Sequence, residues 1–506
     1  MSHLRFVAVT ALAMGFSGSA VMADLTADQV WQGWTDYLDE AGYRVTSDIS
    51  RSGDTLTIRG LALEMDLPDE DGGMSVRVGE IQLLEDDDGS VSVILPDTLP
   101  IAIAAIDDEG QQVTASVEIA QQALDLTISG TPGDMDYAYT AELLTLALTG
   151  LQAGDETPEI RAAGIRLETM EGSSRSEPGD ISRTVAQDLR AGPVTYEIDI
   201  TEPGEGATMA LQGTMAQVAF TGDATIPESF ESDDVAAAMR DGFRFASSVE
   251  YENGTTTYRF EDDGDVLEGA NSSVRGRIGT SMGPDGLRYG ASGEEVSMAI
   301  TTSDLPFPVD LEMARLGSSI TMPVMSSEAM QDYAVNLELS EFTMSDQIWS
   351  MIDPGAQLPR DPATLRVDLS GTGRLFLDLL DAAEMESLET RERMPGEVES
   401  LTLNELTLEV AGAKLSGEGA FTFDSDDLES FEGAPAPEGT LDLRLLGGNA
   451  LLEKLVGMGL VPEDQASGMR MMMGLFATPG DAEDELVSKI EVTEDGQILA
   501  NGQRLK

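Results

Sequence analysis

The chain has 506 residues, of which 93 are acidic and 29 basic, giving a formal charge of −64 at pH 7. It contains no cysteine and one histidine, His3. Without His3, no disulfide, no thiolate- or imidazole-held metal, haem or iron–sulfur centre, and no Ser-His-Asp or Cys-His nucleophile pair can be built.

In chain order, the first feature is a leader. His3 and Arg5 make a short polar start, an apolar stretch runs from Phe6 to Phe16, and Val21 and Ala23 stand where a signal peptidase reads small residues. Gly15, Ser17, Gly18 and Ser19 interrupt the stretch before it reaches the length of a membrane span. The expectation is cleavage after Ala23 and a periplasmic, non-spanning mature chain that begins at Asp24.

A helix should follow. Thr26-Ala27-Asp28-Gln29 has the form of a capping box, Val30, Trp34 and Leu38 recur at helical spacing, and Gly42 suits the residue just past the helix end. With no polar group nearby to suggest a ligand, Trp31 and Trp34 read as core packing.

Beyond Gly42 the apolar period becomes two, the spacing of strands, at 44–50, 55–65, 74–84, 90–95, 112–130, 135–149 and 193–221. Asn253-Gly254 predicts a hairpin between Phe245–Tyr251 and Thr255–Phe260. Further strands are expected at 333–344, 364–370, 400–423, 439–446 and 488–499. Short helices are expected near 180–190, 233–241 (with Ser232 as cap), 374–388, 449–459 and 464–476, and loops near Glu171–Gly179, Thr225–Ser232 and Glu432–Glu438. The fold class is β-rich α+β: large, mostly antiparallel sheets with short covering helices and a hint of a duplicated helix-then-strands unit. The expected division is a signal peptide at 1–23, a helix plus β-rich region at 24–230, and a β-rich region with short helices at 231–506.

Little in this pattern carries chemistry. Asp69–Gly72, Asp86–Gly89 and Asp262–Asp265 suggest calcium, but an EF-hand needs an acid at its first position, where Leu67, Leu84 and Arg259 stand. It also needs a glutamate at its twelfth position, where the chain has Val78, Leu95 and Ala270. Asp and Gly suit turns unaided. Met469, Met471, Met472 and Met473 could offer sulfur to a soft metal, but contiguous methionines point several ways around a helix and read as packing or a greasy contact surface. Ser370–Arg374 lacks the third glycine of a nucleotide loop and reads as a turn. No catalytic, cofactor-binding or metal-binding residue is nominated, and no enzymatic activity is expected.

Several segments resemble a known family. They are the stretches Ala23–Trp31, Trp349–Gly355, Leu358–Leu365, Gly417–Phe421, Gly439-Thr440-Leu441 and Leu451–Gly459. Together they resemble an uncharacterised bacterial family called domain of unknown function 2125, over nearly the whole mature chain and most specifically over 345–460. That resemblance implies a periplasmic location and supplies no catalytic residues. More weakly, the repeated amphipathic strands look like AsmA-like envelope proteins, whose curved sheets form apolar grooves.

The leading expectation is therefore a non-catalytic periplasmic binding or scaffold protein that presents an apolar groove to lipid or to another envelope protein. Leu56, Ile58, Leu401, Leu403, Leu406 and Leu408 would line it. Because parity changes between Leu403 and Leu406, a shared face requires a bulge near Asn404. The alternative is a secreted carboxylate-dependent hydrolase of an envelope polymer, with two facing acids. Nucleic acid is not an expected partner, because so acidic a surface repels phosphate. Intact-mass measurement of the exported protein should give a chain starting at Asp24; a species that keeps residues 1–23 would contradict the cleavage.

Overall fold

A computed structural model of the chain describes residues 24–40, 42–66, 73–106, 111–154, 156–179, 181–204, 206–228, 230, 234–381, 384–385, 395–428, 431 and 433–505. The leader, the Ser232 cap and the 69–72 turn lie outside the described residues. Strand takes up 65% of the chain and helix 12%, so the expected β-rich α+β class holds, with antiparallel pairing and short helices.

The chain divides into two compact units, Met1–Glu228 with Tyr258–Asp265 and Ser229–Thr257 with Val266–Lys506. The N-terminal unit begins with α1 (Ala27–Glu40), and its capping box forms as expected. The Thr26 N–H donates to Gln29 Oε1 at 3.0 Å, and the Gln29 N–H donates back to Thr26 Oγ1 at 3.3 Å. Val30, Trp34 and Leu38 bury their face of α1 against Leu56, Ile58 and Leu83. Trp31 meets Trp34 edge-on at 6.4 Å, and Trp34 Nε1–H donates to the Tyr137 hydroxyl at 3.0 Å. Burial pushes that hydroxyl's pKa up to about 12, against the opposing effect of the Trp34 donor.

After α1 come β1 (Arg44–Ser52), β2 (Thr55–Asp66), β3 (Gly73–Val78), β4 (Ile81–Glu85) and β5 (Val91–Ile94). Then follow β6 (Thr98–Ile106), β7 (Gln112–Gln122), β8 (Asp125–Thr131), β9 (Asp134–Ala153) and β10 (Glu159–Pro178). This unit's series closes with β11 (Ser182–Ala191), β12 (Val194–Thr201), β13 (Thr208–Met215) and β14 (Gln217–Pro227). One antiparallel path runs β2, β3, β6, β7, β9, β10, β12, β13.

The C-terminal unit begins with α2 (Val235–Arg240). It continues with β15 (Arg244–Asp262, whose last residues belong to the N-terminal unit), β16 (Asp265–Gly283), β17 (Gly286–Thr302), β18 (Val309–Met322) and β19 (Gln331–Met344). Next are α3 (Asp346–Ile352), β20 (Ala363–Leu375), β21 (Gly396–Val410), β22 (Ala413–Asp424) and β23 (Ala436–Leu446). After α4 (Gly448–Gly457) and α5 (Glu463–Phe476) the described chain ends with β24 (Thr478–Pro479), β25 (Glu485–Val492), β26 (Ile498–Ala500) and β27 (Gln503–Arg504). From β16 to β23 each strand pairs antiparallel with its neighbours in sequence, an unbroken meander, and β25 adds to β23.

Both units open with a helix that ends the same way. Gly42 N–H bonds Asp39 O and Tyr43 N–H bonds Leu38 O; Gly242 N–H bonds Met239 O and Phe243 N–H bonds Ala238 O. Each glycine has the positive φ of this cap, +86° and +101°. Gly42-Tyr43-Arg44-Val45 and Gly242-Phe243-Arg244-Phe245 are thus one structural device used twice.

Five expectations need correction. The helix placed at 180–190 is strand β11, because the four-residue spacing of Val185 and Leu189 satisfies both periods and pairing with β10 and β14 decides between them. The Asn253-Gly254 hairpin is absent: β15 runs through with Asn253 at φ +51°, Gly254 leaves room for the Tyr251 ring, and the chain turns at Asp263-Gly264. Ser370–Arg374 is interior to β20, with Gly371 beneath Tyr333, whose hydroxyl donates to Ser400 O at 2.7 Å. Where a helix was expected at 374–388, β20 continues to Leu375, and tertiary bonds from Phe376 N–H to Pro395 O and from Leu379 N–H to Val324 O then hold the backbone; of the described residues in that range only 384–385 are helical, and 382–383 and 386–388 lie outside the described residues. The stretch 171–179, expected as a loop, is likewise mostly strand β10.

Ile58 has no exposed surface in the core beneath α1. Ile58→Ala should therefore lower unfolding free energy by about 2–5 kcal/mol in denaturant titration.

Candidate functional site

Side chains alternate across a strand, so the pairing register assigns the faces of the C-terminal meander. One row across it is Gly293, Leu316, Leu339, Leu365, Leu408, Leu415 and Leu445. The next is Ala291, Ser318, Leu337, Val367, Leu406, Gly417 and Leu443. A third contains Tyr289, Ile320, Val335, Leu369 and Leu403. The opposite face carries Arg288, Arg315, Glu338, Arg366, Asp368 and Arg444. One face is therefore apolar across the whole meander and the other is charged.

The bulge expected near Asn404 is what keeps β21 on this plan. Its register shifts between Leu403 and Leu406 against β22 and between Asp368 and Leu369 against β20, with Asn404 as the extra residue. Asn404 Nδ2 donates to Asp368 Oδ1 at 3.1 Å and Ser370 Oγ at 2.9 Å on the charged face. Leu401, Leu403, Leu406 and Leu408 consequently all lie on the apolar face. Gly417 and Gly419 make room on β22 for the Leu443 and Leu441 side chains.

Much of this face is uncovered. Tyr289 is 44% exposed, Leu337 43%, Leu316 41% and Ile320 38%, values far from those of a closed core. Helices cover two parts of it. At one end, Met239 of α2 packs with Val324 and Met325 against Met282 and Leu287. Along the Leu408–Leu415–Leu445 row, α4 and α5 bridge the sheet and leave an apolar cavity of about 690 Å³. Leu451, Leu452 and Leu455 of α4 and Met469, Met472 and Met473 of α5 form its roof. Among the described residues, no charged or hydrogen-bonding side chain lines it.

The two roof helices are held at their ends. Asp484 accepts from Ala450 N–H at 3.0 Å and from Asn449 Nδ2 at 2.8 Å, which fixes the start of α4. Burial pushes that carboxyl's pKa up, but these donors bring it below the ordinary value. At the other end, Phe476 O accepts from Ser488 Oγ at 2.6 Å and from Asn501 Nδ2 at 3.1 Å.

The six residues nominated from sequence divide. Leu56 and Ile58 lie in the closed core beneath α1 of the N-terminal unit. Leu401, Leu403, Leu406 and Leu408 share the apolar face of the C-terminal unit, and Leu408 lines the cavity. Sequence reasoning did not join Leu415 and Leu445 to them; their alternation was visible, but the pairing that makes them one row was not.

Among the described residues, the buried acids Glu485, Asp353 and Asp378 serve as clamps, whereas burial pushes the Asp134 carboxyl up. Glu485 accepts from Ala482 N–H at 2.6 Å, which lowers its pKa, and it pairs with the Arg444 guanidinium. Asp353 takes the Leu358 N–H at 2.7 Å, and its carboxyl is lowered by the backbone donors of Gln357 and Leu358. Asp378 accepts from Ser326 N–H at 2.7 Å and Ser326 Oγ at 2.6 Å and pairs with Arg240 at the last turn of α2. Although burial pushes the Asp378 carboxyl up, those donors hold it below its ordinary 3.8. A carboxyl held ionised by fixed donors is poorly suited to give up a proton. Among the described residues, no group of three or more His, Cys, Asp and Glu is placed to hold a metal ion, and no helix is long and apolar enough to cross a membrane.

Asp378 gives a signed prediction. A folded pKa below 3.8 means its contribution is present above that pH and is lost as pH falls through the lowered value. Asp378→Asn should cost about 1–3 kcal/mol at neutral pH, discounted because the Arg240 partner is half exposed. In denaturant titrations at stepped pH, the gap between wild type and variant should narrow as pH falls below 3.8 and close once it passes the lowered value.

The model of a family described as "Uncharacterized protein conserved in bacteria (DUF2125)" matches residues 248–501, half the chain, including all of β16 to β26 and the roof helices. Compared with curated proteins, the chain matches none. On the strength of that match, this chain belongs to the DUF2125 family.

Proposed function

We propose that this protein is a non-catalytic binding protein of the bacterial cell envelope, exported with loss of residues 1–23, that holds a lipid acyl chain in the cavity under α4 and α5. The observation that carries the reading is the cavity's lining. A space of about 690 Å³ with only apolar side chains and glycine around it offers nothing to a polar ligand. A hydrocarbon chain gains about 0.8 kcal/mol per buried methylene, with no polar group left unpaired on either side. The half-exposed face next to the cavity gives the rest of the chain, or a second one, a surface to lie on.

The test is lipid extraction and native mass spectrometry on mature protein purified from the periplasm. The expected result is lipid in stoichiometric amount, and its loss from Leu408→Glu at unchanged unfolding midpoint. A clean, lipid-free wild-type mass would overturn the lipid reading and leave the face to a protein partner.

A further inference from the structure

Helix α5 has apolar side chains on two sides. Ala466 is buried, and Met469, Met472 and Met473 line the cavity. Met471 and Leu475, one turn apart, do not line it and are 72% and 51% exposed; Met469 and Met472, which do line it, are themselves 47% and 52% exposed, and Leu460 in the turn before α5 is 50% exposed. Gly468 and Met472, on the cavity wall, stand three residues before Met471 and Leu475 respectively and so adjoin them on the helix surface. The cavity lining therefore continues around α5 onto its outer side.

Charge marks the same segment. From Lys454 to Phe476 the acids are Glu463 and Asp464 and the bases Lys454 and Arg470, a net of zero in a chain of net −64. Arg470 and Glu463 pair at 3.0 Å within α5. Bringing up a second copy would set two chains of net −64 against each other, whereas an uncharged apolar layer meets no repulsion there.

We infer that the outer side of α5, with Leu460, seats on a zwitterionic lipid surface. Met471, Leu475 and Leu460 enter the interfacial layer, and the cavity opens beside them. The contact rests on the acyl-chain reading for what passes between membrane and cavity, but its own readout is separate.

That readout is vesicle flotation with the full mature chain. Wild type should float with vesicles of equimolar phosphatidylethanolamine and phosphatidylcholine. It should float less when phosphatidylglycerol replaces the phosphatidylcholine at low salt, with recovery as salt screens the repulsion. The double variant Met471→Asp, Leu475→Asp should partition roughly tenfold or more weakly, since both positions give up apolar burial. Both sites are exposed, so its unfolding midpoint and cavity lipid content should match wild type. Ile181→Asp, at the 73% exposed apolar position of the N-terminal unit, should float like wild type. Absence of wild-type flotation would overturn the inference, as would equal loss in the Ile181 variant. So would a wild-type dimer that the double variant converts to monomer, which would assign the patch to a second copy. If flotation holds while the purified protein carries no lipid, the surface contact stands and the acyl-chain reading falls.

Discussion

The constraint on which the C-terminal unit depends is the two-residue alternation of long antiparallel strands. Each strand between β16 and β23 presents one set of side chains to each face, and pairing in register turns eight alternations into two continuous surfaces. One surface is then apolar over its whole breadth and needs covering. A sandwich would supply a second sheet. Here α2, α4 and α5 cover parts of it, and residues such as Leu316 and Leu337 stay half exposed between them. An open apolar face and a bridged apolar cavity are both results of that arrangement.

The charged face follows from the same alternation. Arg315 reaches Glu294 on the adjoining strand at 2.9 Å, and Arg366 reaches Glu338 at 3.4 Å. All these side chains are substantially solvent-exposed, so each pair adds about 0–1 kcal/mol at most. Their value lies more in registration: a one-residue slip would put Arg315 among leucines and Leu316 among charges. Buried Asp378 and half-buried Asp484 act differently, since each joins backbone donors of one element to another element.

How far the sequence could be read depended on whether a signal was local. The α1 capping box and the Asn404 bulge were legible because each is fixed by residues within a few positions: Thr26 with Gln29, and the parity change from Leu403 to Leu406. The 449–459 and 464–476 helices were legible for the same reason. Val185 and Leu189 were not, because a four-residue spacing fits helix and strand equally and only pairing partners decide. Asn253-Gly254 misled because the turn preference was overridden by a strand long enough to absorb a residue at positive φ. The cavity was least legible, since it needs β21, β22, β23 and two helices together, and no single segment records that. One signal was present and unused: Gly-aromatic-Arg recurs at Gly42 and Gly242, after a helix each time.

The meander also bears on how such a chain is made. From β16 to β23 every strand finds its partner in the strand just before it, so each pairing closes a short loop and adds little sequence separation. A polypeptide delivered end first could lay down this unit one strand at a time, each newcomer templated by an edge already in place. The apolar face would grow with it, exposed from the start, and α4 and α5 could close over their end only after β23 has emerged. During synthesis the unit is therefore stickiest just before completion, which makes the interval between β21 and α5 the stretch where a chaperone has the most to do.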